Sequence, residues 1–212
     1  MNNDYSLYVV TDEGLSHGFT HCEIAKQAVR GGATVIQLRD KTKSARELFI
    51  IAQEIKAITR CAGACCIIND RLDIALGADA DGVHLGQDDL PLTIARRLAP
   101  PPFIIGISVS NVTQAQQAEQ EGADYIAVSP VFETGSKSDA GPGHGLKMLS
   151  EIAHLVQIPV IGIGGINHAN LHHLFDAGAS GIAVISAIVS APDICAATRT
   201  MREQISSLKL HF

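Results

Sequence analysis

PVIGIGGINHANLHHLFDAGASGIAV, residues 159–184, holds one complete unit of the fold. Pro159 to Ile163 is a short β-rich run, Gly164-Gly165 a turn, Ala169 to Ala177 an amphipathic stretch, Gly178 a helix-closing glycine, and Gly181 to Val184 a second β-rich run. Both runs are almost continuously apolar, as strands are when a parallel sheet is covered by helices on each face. A strand, a helix and a parallel strand make a right-handed crossover, which leaves a chain of such units few topologies.

The same alternation extends towards the N-terminus. Further strands are expected at Leu7 to Val10, Thr34 to Leu38, Cys65 to Ile68, Gly82 to Leu85, Phe103 to Ile107 and Tyr125 to Val128, making eight with the two above. Helices are expected at Cys22 to Arg30, Ala45 to Arg60, Leu72 to Leu76, Leu92 to Leu98, Val112 to Glu121, Leu146 to Leu155 and Ile194 to Leu208. Ser44 with Glu47 reads as a capping box, and Gly31-Gly32, Gly122 and Gly178 stand where helices end in a left-handed residue. An open doubly wound sheet satisfies the pattern too. The strand count favours an α/β chain closed as a (β/α)₈ TIM barrel, one domain over residues 1–212.

A net charge of −6 argues against a general nucleic-acid or membrane-surface binder, so an anionic ligand needs a local site. The longest apolar runs, Ile158 to Ile163 and Ile182 to Val189, are too short to span a bilayer, and the start MNND lacks a basic signal region. A cytoplasmic location is expected. The five cysteines show no paired spacing and read as reduced, mostly buried thiols.

Barrel chemistry sits on the loops that follow the strands. After the second strand, Gln37, Arg39 and Lys41 alternate and are expected to share one face, where Arg39 and Lys41 can clamp a diphosphate; a solvated charged strand end is the plain alternative. Asp70 after the third strand and Asp89 after the fourth bring two carboxylates to one mouth, the donor set that Mg²⁺ shares with phosphate oxygens. Asp70, Asp88 and Asp89 could equally cap the following helices. Ser108 ends the fifth strand. The glycine-rich loop 129–145 offers Thr134, Ser136 and Lys137 to an anion, and its His144 reads as a surface residue. Gly164-Gly165 after strand seven and Ile185-Ser186 after strand eight stand where barrels cradle a phosphate with backbone N–H groups. Two anion pockets at one mouth point to an enzyme that joins or exchanges two phosphorylated small molecules.

The motifs Leu7-Tyr8-Val9-Val10-Thr11-Asp12, Gln37-x-Arg39-x-Lys41, Ile68-Asn69-Asp70-Arg71, Gly82-Val83-His84-Leu85-Gly86-Gln87-Asp88-Asp89, Thr134-x-Ser136-Lys137, Ile163-Gly164-Gly165-Ile166 and Val184-Ile185-Ser186 resemble those of the thiamine phosphate synthase family over nearly the whole chain. The resemblance implies a Mg²⁺-dependent transferase that couples 4-amino-2-methyl-5-hydroxymethylpyrimidine diphosphate to 4-methyl-5-(2-phosphoethyl)thiazole by a dissociative displacement. It implies that Gln37 faces the pyrimidine, that Arg39, Lys41, Asn69, Ser108 and Lys137 hold the diphosphate, and that Asp70 and Asp89 carry the metal. Thr134, Ser136, Gly165, Ile185 and Ser186 would line the thiazole phosphate side. Asp40 departs from the glutamate often found there.

The related thiazole tautomerase branch tends to lose the Asn-Asp pair and to carry a histidine near the end of strand five. Here Asn69-Asp70 is present and Ser110 occupies that region, which favours the synthase. A non-catalytic sensor of thiamine precursors would not need the full metal and cation set. Partners are expected to be the two small-molecule substrates, with no nucleic acid and no membrane; a homodimer is entertained, though no interface patch is legible.

Overall fold

The structure is a computed structural model in which residues 3–133 and 145–209 are described. Eight parallel strands close into a barrel in sequence order: β1 (Leu7–Val10), β2 (Val35–Leu38), β3 (Cys65–Asn69), β4 (Gly82–Leu85), β5 (Ile104–Val109), β6 (Tyr125–Val128), β7 (Val160–Ile163) and β8 (Gly181–Val184). Closure comes from β8 pairing with β1, Tyr8 opposite Ala183 and Val9 opposite Val184. The open doubly wound alternative is thereby excluded. Because each of the eight strands has two neighbours, the barrel has no open edge among the described residues.

The helices lie between strands as α1 (His21–Arg30), α2 (Ala45–Ala62), α3 (Leu72–Gly77), α4 (Leu92–Leu98), α5 (Val112–Gln120), α6 (Gly145–Leu155) and α7 (Leu171–Asp176). A short α8 (Ser186–Val189) and the long α9 (Ile194–Lys209) follow the last strand. Among the described residues no helix is long and apolar enough to cross a membrane.

Local chemistry explains the helix starts. Ser44 caps α2 and accepts from the Glu47 N–H, while Glu47 accepts from the Ser44 N–H, which is the expected capping box. Thr20 and Glu23 make a second one on α1. Each such cap is worth about 1 kcal/mol. Both are at the barrel mouth, so they also fix where the β1 and β2 loops come down onto their helices.

Several expectations need correction. Gly31 is right-handed at φ −78°, and it is Gly32, at φ 98°, that takes the left-handed turn. The helix expected from Ala169 begins at Leu171, because the Asn167 and Asn170 side chains accept from the Ala169 and Asn167 N–H groups and hold a turn there. Strand β5 runs past Ile107 to Val109, and the four-residue α8 had no periodic signal long enough to read. Among the cysteines, all free, only Cys66 is buried; Cys61 is exposed and Cys22, Cys65 and Cys195 are half-buried, since they lie on helix flanks and at a strand start.

Candidate active site

The strand ends put most of the expected residues around one mouth. Strand β2 stops at Leu38, so Arg39 and Lys41 lie on the loop that follows it. Gln37 points into the barrel, where its amide meets Tyr8, and is buried, while Arg39 is half-buried and Lys41 exposed. Arg39 faces the Asp12 carboxylate at 3.6 Å, and its backbone N–H donates to Thr11 Oγ1 at 3.4 Å. The adjoining Asp40 is held by His21 Nε2 at 3.1 Å and by the N–H groups of Thr42 and Lys43. Burial opposes the charge on Asp40, but these bonds win and keep its carboxyl below the ordinary range.

Glu13, His21 and Asp40 have ligand atoms within 4.8 Å of one another, a grouping that could hold a cation. The Lys43 ammonium already lies 2.6 Å from Glu13 and 3.5 Å from Asp40, and His21 is also bonded through Nδ1 to Thr11. With Lys43 paired to both carboxylates and His21 bonded on each side, we read this grouping as a staple between the β1 and β2 loops.

The other acidic pair is different. Asp70 follows β3 in the left-handed conformation at φ 60°, and its N–H donates to the His84 carbonyl at 2.8 Å. An aspartate tolerates this conformation better than most residues, and it turns the carboxyl towards the β4 loop. Asp89 accepts from the Gly86 N–H at 2.7 Å. Neither residue caps a helix: α3 is preceded by Arg71 and α4 by Pro91, with no side-chain cap on either. Burial, then the charge of Asp89 and a hydrogen bond to it, push the Asp70 carboxyl up to about 6, with Lys41 and Arg39 pulling it back. Two carboxylates that repel each other beside two cations fit a hard divalent ion and an anionic ligand.

Below the mouth the barrel floor is polar. Gln37 Nε2 donates to the Tyr8 hydroxyl at 2.8 Å; Tyr8 meets the Tyr125 hydroxyl at 2.9 Å; Tyr125 meets His84 Nδ1 at 2.9 Å; and His84 Nε2 meets Ser108 Oγ at 2.9 Å. Asn69, half-buried, stands opposite His84 in the β3–β4 register. Across the mouth Gly164 (φ 105°) and Gly165 (φ 64°) turn the β7 loop tightly against the β6 loop, where Phe132 N–H donates to the Gly164 carbonyl at 3.1 Å. A side chain on either glycine would collide with Pro130 or with the Glu133 carbonyl. Ile185 is buried and Ser186 exposed where α8 begins, directly after β8, the strand next to β7.

Thr134, Ser136, Lys137 and His144 lie outside the described residues. Sequence reasoning gave no role to Tyr8, Tyr125, His84, Asp12 or His21. The signal for the first three was a hydroxyl or imidazole inside otherwise apolar strands, LYVV, YIAV and GVHL.

Comparison with known proteins identifies what the chain is similar to. Residues 7–188 match the family described as thiamine monophosphate synthase. A thiamine-phosphate synthase of Methanoculleus marisnigri is 54% identical over 205 residues, 97% of each chain. One of Methanospirillum hungatei is 56% identical over 196 residues, 92% of this chain and 95% of that protein. The solved structure of thiamine phosphate pyrophosphorylase from Pyrococcus furiosus superposes with a TM-score of 0.90 at 41% identity, covering 97% of this chain and 98% of that one.

Proposed function

The chain belongs to the thiamine monophosphate synthase family, transferases of thiamine biosynthesis, and on that premise we propose that it joins 4-amino-2-methyl-5-hydroxymethylpyrimidine diphosphate to 4-methyl-5-(2-phosphoethyl)thiazole, releasing pyrophosphate and thiamine phosphate. The observation that carries this reading is the Asp70–Asp89 pair beside Arg39 and Lys41, over a floor that ends in Ser108. Strands from all round the barrel contribute, which supports reading residues 1–212 as one catalytic domain.

Gln37 presents its amide to the pyrimidine. Arg39, Lys41, Asn69, Ser108 and Lys137 hold the diphosphate, Arg39 through its planar donor fork and the lysines as point charges. Thr134, Ser136, Gly165, Ile185 and Ser186 line the side that takes the thiazole phosphate. Asp70 and Asp89 would hold Mg²⁺, which when bound supplies charge neutralisation to the departing diphosphate. In the dissociative reading, the bond from the pyrimidine methylene carbon to the diphosphate oxygen breaks, the bonding pair leaves with the oxygen, and the thiazole nitrogen then supplies the pair for the new C–N bond. Such a step asks the protein for positioned cations and a positioned acceptor rather than a nucleophile.

Arg39→Ala tests the diphosphate assignment. The KM for the pyrimidine diphosphate rises by about tenfold or more while that for the thiazole phosphate stays near the parent value. Steady-state titration of each substrate separates the two, and equal changes in both would remove Arg39 from the diphosphate side.

A further inference from the structure

The five side chains on the barrel floor form one continuous hydrogen-bonded line, from Gln37 through Tyr8, Tyr125 and His84 to Ser108. All but Ser108 are buried, so water does not interrupt it. The line is packed as well as bonded: the Tyr125 ring stacks on His84 at 5.6 Å and lies 4.8 Å from Tyr5, and a side chain at Gly106 would overlap the Tyr125 ring and hydroxyl.

Such a line has a polarity. Each phenol has one hydrogen, and a neutral imidazole carries one, so choosing the donor at one end sets every donor to the other end. With Gln37 Nε2 donating to Tyr8, Tyr8 donates to Tyr125, Tyr125 to His84 Nδ1, and His84 Nε2–H to Ser108 Oγ. Gln37 Oε1 is then left as an acceptor towards the ligand, and the Ser108 hydroxyl keeps its own hydrogen to give away. The reverse polarity exposes the Gln37 NH₂ group and turns the Ser108 hydrogen inward towards His84. A ligand with a ring amino group and a neighbouring diphosphate matches the first polarity at both ends and the second at neither.

We infer that this line is a specificity device, in which Tyr8, Tyr125 and His84 act as positioning residues that tie recognition of the pyrimidine amino group at Gln37 to donation to the diphosphate at Ser108. The inference rests on the substrate assignment above. Burial raises the Tyr8 and Tyr125 phenols above their ordinary values, so both keep the hydrogen that the line needs at working pH.

The test compares kcat/KM for the aminopyrimidine diphosphate and for an analogue with an oxo group in place of the ring amino group. The parent favours the amino compound. Tyr125→Phe, which keeps the ring and removes two bonds of the line, narrows that preference by about tenfold or more, and Tyr8→Phe does the same by releasing Gln37. An unchanged ratio in a folded variant overturns the inference. A measurement on the unmodified protein stands beside them: ¹⁵N NMR of His84 with the pyrimidine diphosphate bound shows the Nε2–H tautomer, and an Nδ1–H or doubly protonated ring overturns the polarity. A parent protein that turns over neither compound contradicts the proposed function itself, not the line.

Discussion

Replacing Asp70 with alanine lowers turnover by on the order of a hundredfold or more and removes the response to Mg²⁺, because it takes away one of the two carboxylates facing each other at the mouth. A second consequence separates metal binding from folding. In the metal-free protein Asp70 is held up to about 6, above its ordinary 3.8, by burial and by Asp89. For a group whose folded value is raised, the stabilising contribution is complete below the unfolded value and is lost as pH rises through the folded one. Between pH 3.8 and about 6 the metal-free parent therefore gives up stability at this site. Asp70→Asn does not titrate, so metal-free Asp70→Asn melts above the metal-free parent at pH 7.5, and the difference shrinks towards pH 4. Adding Mg²⁺ raises the melting temperature of the parent and leaves the variant where it was. Thermal unfolding across pH, with Mg²⁺ and with EDTA, reads all of this; a variant that still responds to Mg²⁺ removes Asp70 from the metal site.

The largest loss of stability is expected from Gly181→Ala. Gly181 opens β8, and a side chain there would run into the backbone carbonyl of Tyr5 and then Ser6, at the start of the strand that closes the barrel. A flexible side chain could swing away, but a carbonyl next to the β1–β8 ladder cannot move without opening the seam. Overpacking of this kind costs about 3 kcal/mol or more. Denaturant unfolding should show the midpoint fall with the slope unchanged; a variant as stable as the parent would mean that the seam yields more easily than its register indicates.

The strands were legible because each is a short run buried on both faces, and a buried parallel strand shows as an apolar run wherever it stands. Val160–Ile163 and Gly181–Val184 differ from the expected ranges by one residue at most. The place of Asp70 was legible for a related reason: a polar residue directly after such a run stands at the mouth, and Asp89 lies in the short loop between β4 and α4. The barrel floor was not. Tyr8 and Tyr125 are 117 residues apart, and the hydrogen bond between them depends on the tilt and stagger that close the barrel, which no local pattern carries. The same holds for His21, whose bonds to Thr11 and Asp40 join two loops at the first residue of α1, a join that no local pattern carries.

The most direct test of the account is to give the purified protein the pyrimidine diphosphate with and without the thiazole phosphate, in Mg²⁺ and again in EDTA, and to follow pyrophosphate and thiamine phosphate together. The account predicts equal amounts of both products, formed only when both substrates and Mg²⁺ are present. Tight binding of either substrate without any turnover, or thiamine phosphate formed at the full rate in EDTA, would contradict it.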